Sequence, residues 1–132
     1  LNITNAYSAI NNDGKIIKPE IVKEIRLNNK KIIWLNKPIE KRIISKKVII
    51  KINKLLEKSV KEGNSLAASI SGERVLGKTG TTDNNRDLWF IGSIKNITTG
   101  IWIGFDDNRQ TILSSGNAAS FWKLYKQKSI LN

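Results

Sequence analysis

Apolar residues recur with two different periods along the 132-residue chain, and the points where the period changes divide it into elements. Ile3, Ala6, Tyr7 and Ile10 keep helical spacing until Asn11-Asn12-Asp13-Gly14, a run of poor helix formers, stops it. This stretch reads as the end of a helix. Two β-rich runs, 21–27 and 31–35, flank Asn28-Asn29-Lys30, whose Asn residues tolerate positive φ, so the pattern predicts a hairpin. Residues 46–62 place Val48, Ile52, Leu55, Leu56 and Val60 on one stripe with lysines opposite. That pattern predicts an amphipathic helix, with Ser45 in position to cap its start and Gly63 its end.

Residues 88–94 and 101–105 are nearly all apolar and rich in Ile and aromatics. Runs without alternation suit strands covered on both faces, and the short link 95–100 suits an antiparallel pair. Ala118, Phe121, Trp122 and Tyr125 fall at i, i+3, i+4 and i+7 and predict a closing helix. There is no internal repeat. The order helix, hairpin, helix, strands, helix implies an α+β fold, an antiparallel sheet with helices packed on it. Trp89, Phe90, Trp102 and Trp122 are expected in its core.

Composition narrows the chemistry. With no His and no Cys, Ser-His-Asp and Cys-His mechanisms, disulfides and thiolate ligands are all excluded. No cofactor and no metal is expected. The net charge of +12 suggests a polyanionic partner, but the excess is mostly Lys, scattered from Lys15 to Lys61 without an Arg-rich stripe or stacking aromatics. Nucleic acid is therefore not expected as a partner, while an anionic membrane or wall polymer is compatible with the charge. No apolar run approaches the eighteen or so residues that cross a bilayer. The chain opens on Leu and contains no Met, so it is expected to continue upstream.

One stretch carries two incompatible signals. Residues 72–82, Gly-Glu-Arg-Val-Leu-Gly-Lys-Thr-Gly-Thr-Thr, satisfy the phosphate-loop pattern G-x-x-x-x-G-K-[ST] from Gly72 through Gly77, Lys78 and Thr79. They also contain K-T-G, the substrate-binding triplet of penicillin-interacting serine enzymes. A phosphate loop needs Lys-Thr to open a helix, whose free N–H groups hold the phosphates. Here Lys-Thr runs into Gly80, Asp83, Asn84 and Asn85, poor residues for a helix interior. Residues 101–106 imitate the apolar strand ending in an acid that would hold magnesium, but a parallel neighbour needs a crossover helix for which no room is left. The K-T-G reading asks instead for a strand followed by an antiparallel strand.

The longer match decides. Leu76-Gly-Lys-Thr-Gly-Thr-Thr82, Arg86-Asp-Leu-Trp-Phe-Ile-Gly92 and Thr99-Gly-Ile-Trp-Ile-Gly-Phe-Asp-Asp-Asn108 resemble, in order and spacing, the end of the transpeptidase domain of class A, bifunctional penicillin-binding proteins. Asn5-Ala-Tyr-Ser-Ala-Ile10, Asn12-Asp-Gly-Lys15, Lys18-Pro19 and 55–63 resemble the segments before the K-T-G strand. The resemblance implies a β-lactamase/transpeptidase-like fold of which residues 1–132 are the C-terminal portion. It also implies a parent enzyme that cross-links peptidoglycan through a serine acyl-enzyme on the outer, periplasmic side of the bacterial cytoplasmic membrane. That parent would be membrane-anchored through an N-terminal segment, with a glycosyltransferase domain. Its partners would be stem peptides ending in D-Ala-D-Ala, and β-lactams. By the resemblance Lys78 and Thr79 bind the terminal carboxylate, Gly80 lets substrate approach the backbone, and Thr81 lends its N–H to the oxyanion hole and its hydroxyl to the carboxylate.

The family's S-x-x-K and S-x-N motifs precede this segment, so no catalytic residue is expected within it and the isolated piece is expected to be inactive. Ser120-Phe-Trp-Lys123 and Ser115-Gly-Asn117 imitate those motifs in the wrong order, after K-T-G. Asp106 and Asp107 are expected to end a strand and cap a turn, and Arg86 to pair with Asp87. A phosphate-loop nucleotide binder and a non-catalytic wall-binding module stand as the alternative readings.

Overall fold

The loss of alternation in 88–94 has a direct structural cause. In the computed structural model, which describes residues 1–130, this run is the middle strand of a three-stranded antiparallel sheet with a helix on each face. The elements are α1 (Asn2–Asn11), β1 (Lys15–Ile17), β2 (Glu24–Arg26), β3 (Ile32–Leu35), β4 (Glu40–Arg42), α2 (Lys46–Glu62), β5 (Val75–Thr81), β6 (Asp87–Ile94), β7 (Ile97–Gly104) and α3 (Ser115–Ile130). Single 3-10 turns lie at Leu66–Ala68 and Asp83–Asn85. The main sheet runs β5-β6-β7. On one face Phe90 meets Trp122 of α3 edge to face, ring centroids 5.2 Å apart. On the other, α1 brings Thr4 against Gly100 of β7. A strand covered on both sides has no reason to alternate, so Leu88, Phe90, Ile91 and Ile94 are all buried.

Two glycines make the α3 face possible. Gly77 and Gly92 are cross-strand partners, and both leave room for aromatic rings. A Cβ on Gly92 would stand 2.6 Å from Phe90 Cε1 and 2.8 Å from Trp122 Cζ2, and one on Gly77 would strike Phe90 Cζ. Around these rings Val60 of α2, Ala68, Val75, Ile94, Ala118 and Ala119 complete one buried cluster.

Both long helices lie where the pattern places them, each turned from its expected stripe. On α2, Ile49 and Val60 are buried, while Val48 and Leu55 are exposed. The turn is set by Gly14, whose φ of 81° and missing Cβ let Ile44 and Ile49 close over the end of α1. On α3 the inward direction is fixed by the Trp122 indole, so Ala118, Ala119 and Lys126 share its face and Phe121 and Tyr125 point outward. Burial pushes the Lys126 ammonium below its ordinary value. Ser45 does not cap α2 with its side chain; its carbonyl accepts from Val48 and Ile49 instead. Gly63 ends α2 in an extended conformation and not a left-handed one.

The hairpin forms between β2 and β3 with Lys30 at φ 65°, and the strands are shorter than the runs that signalled them. The expected link 95–100 tightens to a two-residue turn, Lys95-Asn96, with Lys95 at φ 51°. β1 pairs antiparallel with β4, Lys15 opposite Arg42 and Ile17 opposite Glu40, a pairing without a sequence signal because three residues are too few to show a period. Trp102 departs from its expected place in the core, being 42% exposed.

Around α1 and α2 the charges pair. Asp13 is held below the ordinary carboxylate range by the Arg42 guanidinium, with Lys46 assisting. Glu57 is held down by Lys61 and Arg74. A carboxyl whose value is lower folded than unfolded adds stability above its unfolded value, and that stability is lost as pH falls through the folded one. Thermal midpoints should therefore drop between about pH 5 and pH 3, with a shallower drop in the Asp13→Asn, Glu57→Gln double variant; parallel curves would show that neither pairing contributes. Gly92→Ala should cost about 1–3 kcal/mol by overpacking the Phe90–Trp122 contact, read by urea unfolding, and an unchanged midpoint would mean the rings yield freely.

Candidate functional site

The K-T-G triplet lies in the middle of β5, which pairs with β6 on one side and has no strand on its other side among the described residues. The register sets Lys78 against Ile91, Thr79 against Phe90, Gly80 against Trp89 and Thr81 against Leu88. Alternation along the strand therefore turns Thr79 toward the α3 face and Lys78 and Gly80 toward the opposite one. Lys78 is exposed at this edge, and its Nζ donates to the Thr79 carbonyl at 3.0 Å. Thr79 is buried to 9% exposure, yet its hydroxyl has no protein partner among the described residues. Thr81 is exposed.

Gly80 differs from the other glycines of the sheet. A Cβ there would meet only Trp89 Cβ at 3.4 Å, an ordinary contact, and its φ is not in the left-handed region. Nothing among the described residues demands glycine at 80. The space it leaves opens outward, on the side of Lys78.

Cross-strand pairing aligns Gly80, Trp89 and Trp102 in one row on that face. Beyond Thr81 the chain turns through Asn84 and Asn85, both at positive φ (58° and 51°), before β6 begins at Asp87. The expected Arg86–Asp87 ion pair does not form. Asp87 accepts from Thr82 Oγ1 at 3.0 Å and from Trp102 Nε1 at 2.9 Å, while Arg86 ends the 3-10 turn with helical backbone, φ −80° and ψ −40°, before the strand begins. Arg86 has no ion pair among the described residues. Asp106 and Asp107 sit in a turn closed by Asn108 N–H to the Phe105 carbonyl, with Asp107 Oδ1 accepting from Arg109 N–H. No group of three potential metal ligands occurs among the described residues.

The phosphate-loop reading fails on this geometry. Lys78 and Thr79 are strand residues, the next regular strand is antiparallel, and the next α-helix, α3, opens only at Ser115. No α-helix among the described residues opens at Lys78-Thr79 to present its N–H groups to a phosphate. The two motif imitations also fall away from the strand: Ser115 opens α3, and Ser120 lies exposed on it with its Oγ donating to the Gly116 carbonyl at 3.0 Å.

The profile of the family described as penicillin binding protein transpeptidase domain matches residues 1–116. The chain belongs to this transpeptidase family. Penicillin-binding protein 1A of Aquifex aeolicus is 36% identical over 106 residues, which is 80% of this chain and 15% of that protein. Penicillin-binding protein 1A from Haemophilus influenzae has the same fold, with a TM-score of 0.80 at 20% identity over 97% of this chain and 26% of that one. Penicillin-binding protein A from Mycobacterium tuberculosis, solved as an imipenem acyl-enzyme complex, has a TM-score of 0.79 at 17% identity, over 96% of this chain and 30% of that one. These likenesses extend the shared fold through α3, beyond the profile match. The chain thus spans 15% of the length of the Aquifex relative.

Sequence reasoning missed the partners of Asp87, because Thr82 and Trp102 stand 5 and 15 residues away and meet it only through the β5–β6 turn and the β6–β7 register. It also missed the contact of Lys78 Nζ with the next residue's carbonyl. Gly80→Ala should leave folding stability within about 0.5 kcal/mol of the parent chain, as a surface change away from packed features does. Gly77→Ala, whose Cβ strikes Phe90, should be measurably destabilised in the same urea titration; equal effects at the two positions would remove the distinction between an internal and an outward constraint.

Proposed function

We propose that residues 1–132 form the C-terminal portion of the transpeptidase domain of a larger peptidoglycan D,D-transpeptidase, and that they supply its K-T-G substrate-binding strand. The observation that carries this reading is the outward-facing gap at Gly80 beside the exposed Lys78 ammonium on an edge with no strand partner. A peptide ending in a carboxylate has the complementary chemistry. It would draw Lys78 Nζ from the Thr79 carbonyl into a charge-assisted hydrogen bond from one face of the strand and reach the Thr79 hydroxyl, on the other face, across the unpaired strand edge. Thr81 adds a hydroxyl to the carboxylate and a backbone N–H directed at the developing oxyanion, a type of donor whose removal elsewhere costs about 10²–10³ in rate.

In this reading a serine from an S-x-x-K segment upstream attacks the D-alanyl-D-alanine carbonyl, D-alanine leaves, and an amine of a neighbouring stem peptide takes the acyl group. β-Lactams mimic the peptide end and acylate the same serine. The reaction takes place on the outer side of the cytoplasmic membrane. The parent protein is held at the membrane by a segment upstream of this chain, in which no described helix is long and apolar enough to span a bilayer. A glycosyltransferase domain toward its N-terminus accords with the resemblance to class A, bifunctional penicillin-binding proteins.

In-frame coding DNA upstream of Leu1 should encode S-x-x-K at a helix start and then S-x-N, and the full-length product should be labelled by fluorescent penicillin. Lys78→Ala in that product should slow labelling by about tenfold to a hundredfold, the worth of a charge-assisted hydrogen bond. A start codon close by with neither motif, or a full-length product that never labels, would remove the transpeptidase reading.

A further inference from the structure

Asp87 stands at the junction of all three strands of the main sheet. The Thr82 N–H donates to the Asp87 carbonyl at 3.1 Å, and the Asp87 N–H donates to Thr82 Oγ1 at 2.8 Å. The same hydroxyl donates to Asp87 Oδ2 at 3.0 Å, while Trp102 Nε1 of β7 donates to Oδ1 at 2.9 Å. One residue therefore closes the turn behind β5 upon itself and ties it across β6 to β7. The turn needs such a tie, since Asn84 and Asn85 both hold left-handed backbone conformations that L-residues disfavour, and released they would relax toward other turns. Thr81, the last residue of β5, is bonded directly to the tied residue.

We infer that Asp87 is a positioning residue: through Thr82 it fixes the backbone of Thr81, so that the Thr81 N–H stays aimed at the reacting carbonyl oxygen. This rests on the oxyanion role given to Thr81 above. Asp87 itself touches no substrate. Its effect falls on the acylation step and not on initial binding, because a misdirected oxyanion donor forfeits stabilisation that exists only in the transition state.

The test uses the full-length gene product. Acylation by fluorescent penicillin is followed under single-turnover conditions to give the acylation rate constant, the dissociation constant of the non-covalent complex and the labelled fraction. Hydrogen-deuterium exchange of peptides covering 78–87 is measured in parallel. Asp87→Ala should lower the acylation rate constant by about tenfold or more, leave the dissociation constant and labelled fraction unchanged, and speed exchange in 78–87 but not in β7 or α3. Asp87→Asn keeps an acceptor for Trp102 and a group able to bond the Thr82 hydroxyl, so it should recover most of the rate. Thr82→Val should resemble Asp87→Ala, and Thr82→Ser the wild type.

A loss confined to the labelled fraction would mean that Asp87 only holds the fold together, and would overturn the proposal. Unchanged rate and exchange would overturn it as well. A wild-type protein that never labels would remove the transpeptidase reading and the oxyanion role of Thr81 with it, while the exchange data would still decide whether Asp87 holds the strand end.

Discussion

The contact between Phe90 and Trp122, seated in the gap left by Gly77 and Gly92, sets the position of everything that could act on a substrate. Phe90 is the cross-strand partner of Thr79. Wherever the ring sits, the K-T-G strand follows through its backbone pairing with β6. Protein interiors are dense enough that a ring displaced by one methyl group moves its neighbours. The glycine of K-T-G is the contrasting case: the sheet's other glycines are filled by their own chain, whereas Gly80 is left open. Two glycines three residues apart on one strand thus serve opposite ends, one admitting the core and the other leaving room at the edge.

Charge is distributed in keeping with this division. The acids near α1 and α2 are neutralised locally, Asp13 by Arg42 and Lys46 and Glu57 by Lys61 and Arg74. Among the described residues Lys78 is bonded to a neutral carbonyl and to no acid, so no paired acid there cancels its charge. In a chain of net charge +12, that leaves a positive field at the strand edge suited to attract a carboxylate. Asp87 stands close by in sequence, but its two oxygens are occupied by neutral donors from Thr82 and Trp102. The acid near the site holds backbone, and the base faces outward.

Much of this was legible in the sequence, and the failures share a cause. The bounds of α2 agree with the stripe-and-cap reading, and β6 agrees with the unbroken apolar run, because each pattern is local and long enough to show its period. The faces of α2 and α3 were legible only approximately. Which of two neighbouring apolar residues turns inward is decided by the partner surface, Gly14 for Ile49 and the Phe90 ring for Trp122, and no helical period contains that partner. The β1–β4 pairing and the bonds of Asp87 were hidden for the same reason, since their participants lie far apart or in segments of three residues. The Arg86–Asp87 expectation fails because both carboxylate oxygens of Asp87 are taken by Thr82 and Trp102, neither of which adjacency in sequence could point to.

The ambiguity of residues 72–82 illustrates what a short motif asserts. Gly-Lys-Thr names side chains, but the chemistry of each candidate depends on backbone. To hold a phosphate, the N–H groups after Lys78 must point together at one place, which only a helix start provides. To hold a peptide beside a sheet edge, they must alternate. The residues after Thr79 settle the matter by what they cannot do: Gly80 and the Asp-Asn-Asn run at 83–85 resist a helix, while Thr79 and the apolar residues 88–94 favour pairing in a sheet. In the fold, seven consecutive residues from Val75 to Thr81 pair in register with β6. That register leaves the N–H groups of the triplet pointing alternately in and out. The same three letters therefore could not have served a nucleotide here, however well their spacing fits, because the conformation that binds phosphate and the conformation that pairs with Phe90 exclude each other at Thr79.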